Sequence, residues 1–320
     1  MDVSVIGCGR WGTLITWYLD RKGLNMTLYG RKTSQKMQQL ISTKRNDLLT
    51  VRDTVRLTTD LSVALESDII IISISSQSLR TLCEEIKKCD YENKTFVLCM
   101  KGIEISSGMR LTEVVSDVLG NNIKTAVWLG PGHVQEFYHG IPNCMVIDSD
   151  DSKIKRQLVE LFSSDLIRFY YGQDLIGNEL GAALKNVIGI AAGMLDGLGL
   201  SSLKGALMSR STHEVARFIE ALGGDGISAY GLCHLGDYEA TVFSKYSHNR
   251  KFGEEFIKGN RFDQLAEGYY TADAVMKIAK EKGIDMPICE AVYRLLYDKA
   301  DPTDVFNSLF SRSIKKEFEE

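Results

Sequence analysis

The stretch Val3-Ser4-Val5-Ile6-Gly7-Cys8-Gly9-Arg10-Trp11-Gly12 decides the fold. Val3 to Ile6 is a short β-branched run. It passes directly into three glycines at G-x-G-x-x-G spacing, and an apolar-periodic segment with Leu14, Ile15, Trp17, Tyr18 and Leu19 follows. The order is strand, tight turn, helix. Gly7 permits the turn, Gly9 lets a pyrophosphate approach the backbone, and Gly12 lets helix and strand pack closely. An incidental glycine-rich turn has the same three letters. The strand before it and the helix after it make this one a dinucleotide fingerprint.

Outward from this turn, a second strand at Met26 to Tyr29 ends in Gly30-Arg31-Lys32. An NAD-selective site places an acidic residue there for the ribose 2′-hydroxyl, whereas Arg accommodates a 2′-phosphate. With Arg31 and Lys32 and no Asp or Glu, the cofactor is expected to be NADP or NAD, with NADP favoured. The alternation then continues through strands around Val51 to Leu57, Asp68 to Ile74, Thr95 to Cys99, Thr125 to Leu129, Cys144 to Ile147 and Ile167 to Tyr171, with helices between them. That pattern predicts a doubly wound parallel sheet, whose post-strand loops line the cofactor crevice. Three such loops carry reactive side chains: Ser75-Ser76-Gln77, Met100-Lys101-Gly102 and Gly130-Pro131-Gly132-His133.

From Asp174 the strand pattern gives way to helical segments, among them Ala206 to Leu222, Ala272 to Lys282 and Cys289 to Tyr297. The expected fold class is therefore an α/β N-terminal Rossmann-type doubly wound sheet followed by an all-helical C-terminal domain. The dinucleotide-binding domain is expected at 1–173 and a helical substrate-binding and catalytic domain at 174–320. Ser313 to Glu320 reads as a short charged tail.

Composition excludes several classes. A net charge of -4 with interspersed signs gives no long-range attraction for nucleic acid, so no nucleic-acid partner is expected. Ile69 to Ile72 is far too short an apolar run to span a bilayer, and no basic segment followed by an apolar one opens the chain. No integral membrane segment and a cytoplasmic location are expected. Seven scattered cysteines without a C-x-x-C pair read as free thiols, and five histidines without metal-ligand spacing predict no metal site.

Asn178 to Gly199 is an apolar, small-residue run with Lys185 in its middle and Asn186 beside it. Either the lysine snorkels to solvent, or it is a held ammonium whose desolvation fits it for proton transfer. Further on, Leu235-Gly236-Asp237 is followed by Thr241 and by Ser247-His248-Asn249-Arg250-Lys251. Such bunched cationic and amide donors suit an anion and equally describe a solvated loop.

These residues resemble the NAD(P)-dependent glycerol-3-phosphate dehydrogenase family over nearly the whole chain. The motifs are Gly7 to Thr13, Lys101-Gly102, Gly130-Pro131, Glu179 to Val187 (ELGAALKNV), Leu235-Gly236-Asp237, Asn249 to Gly253, Glu267-Gly268 and Met286-Pro287-Ile288. The resemblance implies reduction of dihydroxyacetone phosphate to sn-glycerol 3-phosphate, a small phosphorylated substrate, in support of glycerophospholipid synthesis, by a homodimer. Lys185 is then the proton donor and acceptor, with Asp237 and Lys101 close to the reacting oxygen and Asn186 and Thr241 around the substrate. Asn249 with His248 forms the phosphate grip, and Gly130, Gly132, Ser247 and Arg250 complete the substrate side. Arg10, Trp11, Lys101, Val134 and Glu267 resemble cofactor contacts, beside the glycines Gly7, Gly9 and Gly12 and the basic pair Arg31 and Lys32.

Two departures stand out. The family commonly has Ser-Arg-Asn-Arg where this chain has Ser247-His248-Asn249-Arg250, and Gly-Pro-Ser-Phe-Ala where it has Gly130-Pro131-Gly132-His133-Val134. A guanidinium becomes a histidine, with Arg250 or Lys204 available to compensate, and a hydroxyl is exchanged for a nearby imidazole. They leave open a related oxidoreductase acting on another small phosphorylated or anionic keto compound. A non-catalytic dinucleotide-binding protein fits less well, since a scaffold needs no buried ammonium.

Overall fold

The computed structural model describes residues 1–314, 316 and 317; positions 315 and 318–320 of the expected charged tail lie outside the described residues. The N-terminal half alternates β1 (Asp2–Ile6), α1 (Arg10–Arg21), β2 (Asn25–Tyr29), α2 (Gln35–Thr43), β3 (Arg56–Thr58), α3 (Leu61–Ala64), β4 (Ile69–Ile72), α4 (Leu79–Ile86), β5 (Thr95–Leu98), α5 (Leu111–Leu119), β6 (Lys124–Leu129), α6 (Val134–Tyr138), β7 (Asn143–Asp148), α7 (Ser152–Phe162) and β8 (Ile167–Tyr171). The eight strands form one sheet in the order β3-β2-β1-β4-β5-β6-β7-β8. Strand order reverses direction between β1 and β4, and a crevice opens at such a switch point.

The sheet is covered on both faces, and β4 shows why it reads as a continuous apolar run. Ile69 and Ile71 join the core on the α1 side, whereas Ile70 and Ile72 join the core on the α4 and α5 side. Successive side chains of a strand point to opposite faces, so a central strand needs an apolar residue at every position.

Two expectations are corrected. Val51 is not in a strand: β3 starts at Arg56, and Val51 and Val55 instead bury their side chains beneath a turn in which Val55 N donates to the Arg52 carbonyl at 3.1 Å. The sheet is also not wholly parallel, because β7 runs antiparallel to β6 and β8 runs with β7. The connection carries only the five-residue α6. A helix that short spans about 7.5 Å, against about 20 Å for a six-residue strand, so the chain cannot return to the other end of the sheet and turns back on itself.

The C-terminal half is helical: α8 (Leu175–Gly197), α9 (Lys204–Ala221), α10 (His248–Ile257), α11 (Glu267–Lys282), α12 (Pro287–Leu296) and α13 (Pro302–Phe310). The long α8 lies at its centre. Its five glycines cost about 1 kcal/mol each as helix formers. Burial of Leu180, Leu184, Val187, Ile188 and Ile190 outweighs this at about 1.5–3 kcal/mol each. The glycines also let other helices touch the α8 backbone. A Cβ on Gly193 would occupy the Arg250 carbonyl, and a Cβ on Gly253 would occupy that of Ile190. α8 is pinned to the sheet half by Glu179, which accepts from Thr112 N at 3.0 Å, Thr112 Oγ1 at 2.7 Å and Arg110 Nη1 at 2.6 Å. Among the described residues no helix is long and apolar enough to cross a membrane, and all seven cysteines are free.

Candidate active site

The glycine turn forms a cradle at the C-terminal edge of the sheet. Gly7 has φ 118° and donates its N–H to the Tyr29 carbonyl at 3.0 Å. A Cβ on Gly12 would collide with the Gly7 carbonyl, whereas a Cβ on Gly9 would meet nothing within 4 Å. Gly9 thus faces open space at the start of α1, whose N-terminus has no side-chain cap. Uncapped N–H groups at a helix start, with nothing in front of them, fit a pyrophosphate. The cavity before them measures about 760 Å³ and is lined in part by Arg10, Trp11, Arg31, Lys36 and Val134. Arg31 lies on this wall as expected; Lys32 does not line it, and Lys36, one helical turn further on, does. The sequence held no signal for Lys36 beyond its charge. Glu85 stands on the same wall.

Lys185 projects from the middle of α8 into a cluster that three other segments complete. Lys101 follows β5, Asp237 ends the 3-10 turn Leu235–Asp237, and Thr241 sits in the π-turn Glu239–Phe243. A π-turn of this kind re-aims a side chain out of helical register. Lys185 Nζ lies 2.6 Å from Asp237 Oδ2 and donates to Thr241 Oγ1 at 2.7 Å. Lys101 Nζ lies 2.7 Å from the same Asp237 oxygen and donates to the Gly130 carbonyl at 2.8 Å. The side chains of Lys185 and Asp237 are 9% and 1% exposed. Burial is the largest influence on Lys185 and lowers its pKa to about 8; Asp237 opposes the drop and Lys101 adds to it. The lysine is therefore not snorkelling. It is an ammonium held where losing a proton costs little.

A chain of amides ties this cluster to the neighbouring helices. Asn186 Nδ2 donates to the Lys101 carbonyl at 3.1 Å, Asn249 Nδ2 to Asn186 Oδ1 at 3.0 Å, and Gly268 N to Asn249 Oδ1 at 2.9 Å. Asn249 occupies the first turn of α10, which Ser247 caps by accepting from Arg250 N. Arg250, expected on the substrate phosphate, is engaged elsewhere. Its Nη1 lies 2.5 Å from Asp196 Oδ2 and 3.2 Å from Glu254, and its Nε donates to the Ser244 carbonyl. Lys204 is bound to the same Asp196 oxygen at 2.6 Å, so neither compensating cation faces the amides. His248 reaches across to the cofactor loop, where Nε2 accepts from Arg10. Its Nδ1 faces the Leu265 carbonyl at 3.3 Å, and burial, with Arg10 beside it, lowers its pKa.

Glu267 accepts from Ser76 N at 3.2 Å and from the Ser76 hydroxyl, and burial raises its pKa. It thereby ties α11 to the loop after β4. Gly132 has φ 148°, and a Cβ there would strike the ring of Phe137, so the glycine follows from packing as well as from chemistry. His133 stands at the N-terminal boundary of α6 without a side-chain capping bond, lines the cofactor cavity and packs edge-on against Tyr246 at 5.5 Å. Tyr246 gave no sign in the sequence.

A glycine cradle on a doubly wound sheet, beside a buried lysine–aspartate pair on a helical half, defines a nicotinamide-dinucleotide oxidoreductase. Residues 2–155 and 174–307 match the N-terminus and C-terminus of the NAD-dependent glycerol-3-phosphate dehydrogenases. The chain belongs to that family. It is 37% identical over 328 residues to glycerol-3-phosphate dehydrogenase [NAD(P)+] of Thermotoga sp. (strain RQ2), covering 99% of each chain. To the enzyme of that name from Chlorobium limicola it is 34% identical over 332 residues, again covering 99% of each. The crystal structure of glycerol-3-phosphate dehydrogenase from Coxiella burnetii superposes with a TM-score of 0.91 at 28% identity, covering 97% of this chain and 99% of that one.

Proposed function

We propose that this protein reduces dihydroxyacetone phosphate to sn-glycerol 3-phosphate, reversibly, and so supplies glycerophospholipid synthesis. The observation that carries the reading is the Lys185 ammonium, buried and held by Asp237 and Thr241 on the helical side of a dinucleotide cradle. Bound NADPH or NADH supplies the hydride that the carbonyl carbon receives. The carbonyl oxygen gains charge as this happens, and Lys185 stabilises it and passes it a proton. Asp237 and Thr241 fix the ammonium. Lys101, sharing Asp237 Oδ2, adds a second positive charge where the oxyanion develops. Asn186 and Asn249 position the substrate at the α10 N-terminus, where unpaired N–H groups suit a phosphate.

Arg31 and Lys36 on the cavity wall support a preference for NADPH. The working unit is proposed to be a cytoplasmic homodimer, with residues 1–173 binding the dinucleotide and 174–320 binding substrate and carrying the catalytic lysine. A panel of keto substrates with each cofactor, followed at the nicotinamide absorbance band, tests the reading. Rapid oxidation with dihydroxyacetone phosphate is expected. Oxidation only with other keto compounds, or binding without oxidation, overturns it.

A further inference from the structure

Among the described residues, two buried side-chain polar atoms lack a hydrogen-bond partner in the protein, Nε2 of His133 and Nε of Arg217. Arg217 belongs to α9, where its guanidinium still donates to the Asp285 carbonyl. His133 belongs to the cofactor cavity. Buried polar atoms are almost always paired, and an orphan at a functional site marks a partner that arrives from outside. His133 lines the dinucleotide cavity with Arg10, and Asp237, Lys185 and Lys101 also act on its charge, so its ring lies within electrostatic range of both the cradle and the lysine cluster.

We propose that His133 recognises the free hydroxyl of dihydroxyacetone phosphate and makes the enzyme selective for keto phosphates that carry one. The inference rests on the reaction proposed above. That substrate has three polar ends. The carbonyl oxygen goes to Lys185 and the phosphate to the start of α10, which leaves the hydroxyl to His133, the cavity-lining side chain whose buried Nε2 has no partner. Burial above all, with three cations and against the pull of Asp237, disfavours a charge on His133, so it meets its ligand as a neutral imidazole. A neutral ring nitrogen suits a hydroxyl, which both donates and accepts, better than a phosphate dianion. Residue 132 cannot take this role, because a side chain there would run into Phe137. Tyr246, packed edge-on against the imidazole, holds the ring in place.

Acetol phosphate, which carries a methyl in place of the hydroxymethyl group, separates recognition from general damage. The wild-type enzyme is expected to prefer dihydroxyacetone phosphate by about 10- to 100-fold in kcat/KM, as befits one hydrogen bond in a desolvated site. His133→Phe is expected to bring the two substrates within a few-fold, and His133→Gln to restore part of the preference. The readout is the ratio of the two kcat/KM values, which any change in NADPH affinity moves equally for both substrates. A His133→Phe enzyme that keeps the preference, or loses both substrates equally, overturns the proposal, as does a change confined to NADPH affinity. A wild type that turns over both substrates equally overturns the role of His133 alone. A wild type inactive on dihydroxyacetone phosphate overturns the reaction as well.

Discussion

Lys185 Nζ lies 2.6 Å from Asp237 Oδ2, and both side chains are at least nine-tenths buried. Because the pair is desolvated, it links chemistry to pH. The Lys185 pKa is lowered to about 8, and reduction needs its ammonium while oxidation needs its amine. Reduction of dihydroxyacetone phosphate should therefore fall as pH rises through about 8, and oxidation of sn-glycerol 3-phosphate should rise over the same range. Initial rates in both directions at saturating substrate check this. Parallel profiles would remove Lys185 from the proton transfer.

Lys185→Ala should lower kcat by about 1,000-fold or more while NADPH binding, measured by fluorescence, stays near the wild-type value, since removal of a proton donor and an oxyanion contact acts on the transition state. Near-normal turnover sinks the assignment.

Asp237→Asn leaves two ammoniums around a neutral amide. Breaking a buried pair costs about 3–5 kcal/mol, and denaturant unfolding at pH 7 should show a loss of that order. Asp237 is what holds the Lys185 pKa up, so without it the lysine sheds its proton at lower pH. The sign follows: a depressed lysine pKa penalises folding while the group is charged, and the penalty lifts as pH rises. The deficit against wild type should narrow as pH rises toward about 8 and then level off, because above that pH the wild-type lysine discharges as well. A deficit that is constant with pH contradicts this account.

Arg250→Ala should act on stability and spare the substrate. Its guanidinium serves Asp196, Glu254 and the Ser244 carbonyl. The loss should be about 1–3 kcal/mol, softened because Lys204 remains on Asp196. KM for dihydroxyacetone phosphate should stay within about twofold. A tenfold rise in KM with unchanged Tm would return Arg250 to the phosphate.

Arg31→Ala should raise KM for NADPH by about 10- to 100-fold, the value of a charge-assisted phosphate contact, and leave KM for NADH nearly unchanged. Equal effects on the two cofactors would mean that Arg31 does not read the 2′-phosphate.

The glycine turn and the strand–helix alternation were legible because each is a local pattern: three glycines at fixed spacing and apolar runs of strand length. The reversal at β7 was not, since it depends on how far the short α6 can carry the chain, and a five-residue helix hardly registers in periodicity. Val51 misled for a related reason, being an apolar residue that is buried without belonging to a strand. At the site, Lys185 announced itself as a charge in an apolar run. Its tie to Asp237 reaches 52 residues along the chain, and the residues alone left the lysine's role open; family resemblance named the pair. Arg250 shows the opposite failure. Its place beside Asn249 suggested a phosphate ligand, but α10 turns neighbouring residues to different faces, and Arg250 meets Asp196 on α8.

The contact between α8 and α10 also bears on how such a sequence drifts. Gly193 and Gly253 hold no reactive group, yet the space that a methyl group on either would need is filled by a carbonyl of the facing helix, Arg250 for Gly193 and Ile190 for Gly253. Adding one carbon at either position would wedge α10 away from α8, and Asn249 would part from Asn186 without any polar residue having changed. Lineages of this protein can therefore lose activity through alanine at two silent positions as surely as through loss of Lys185. A comparison restricted to polar residues would score such a chain as intact.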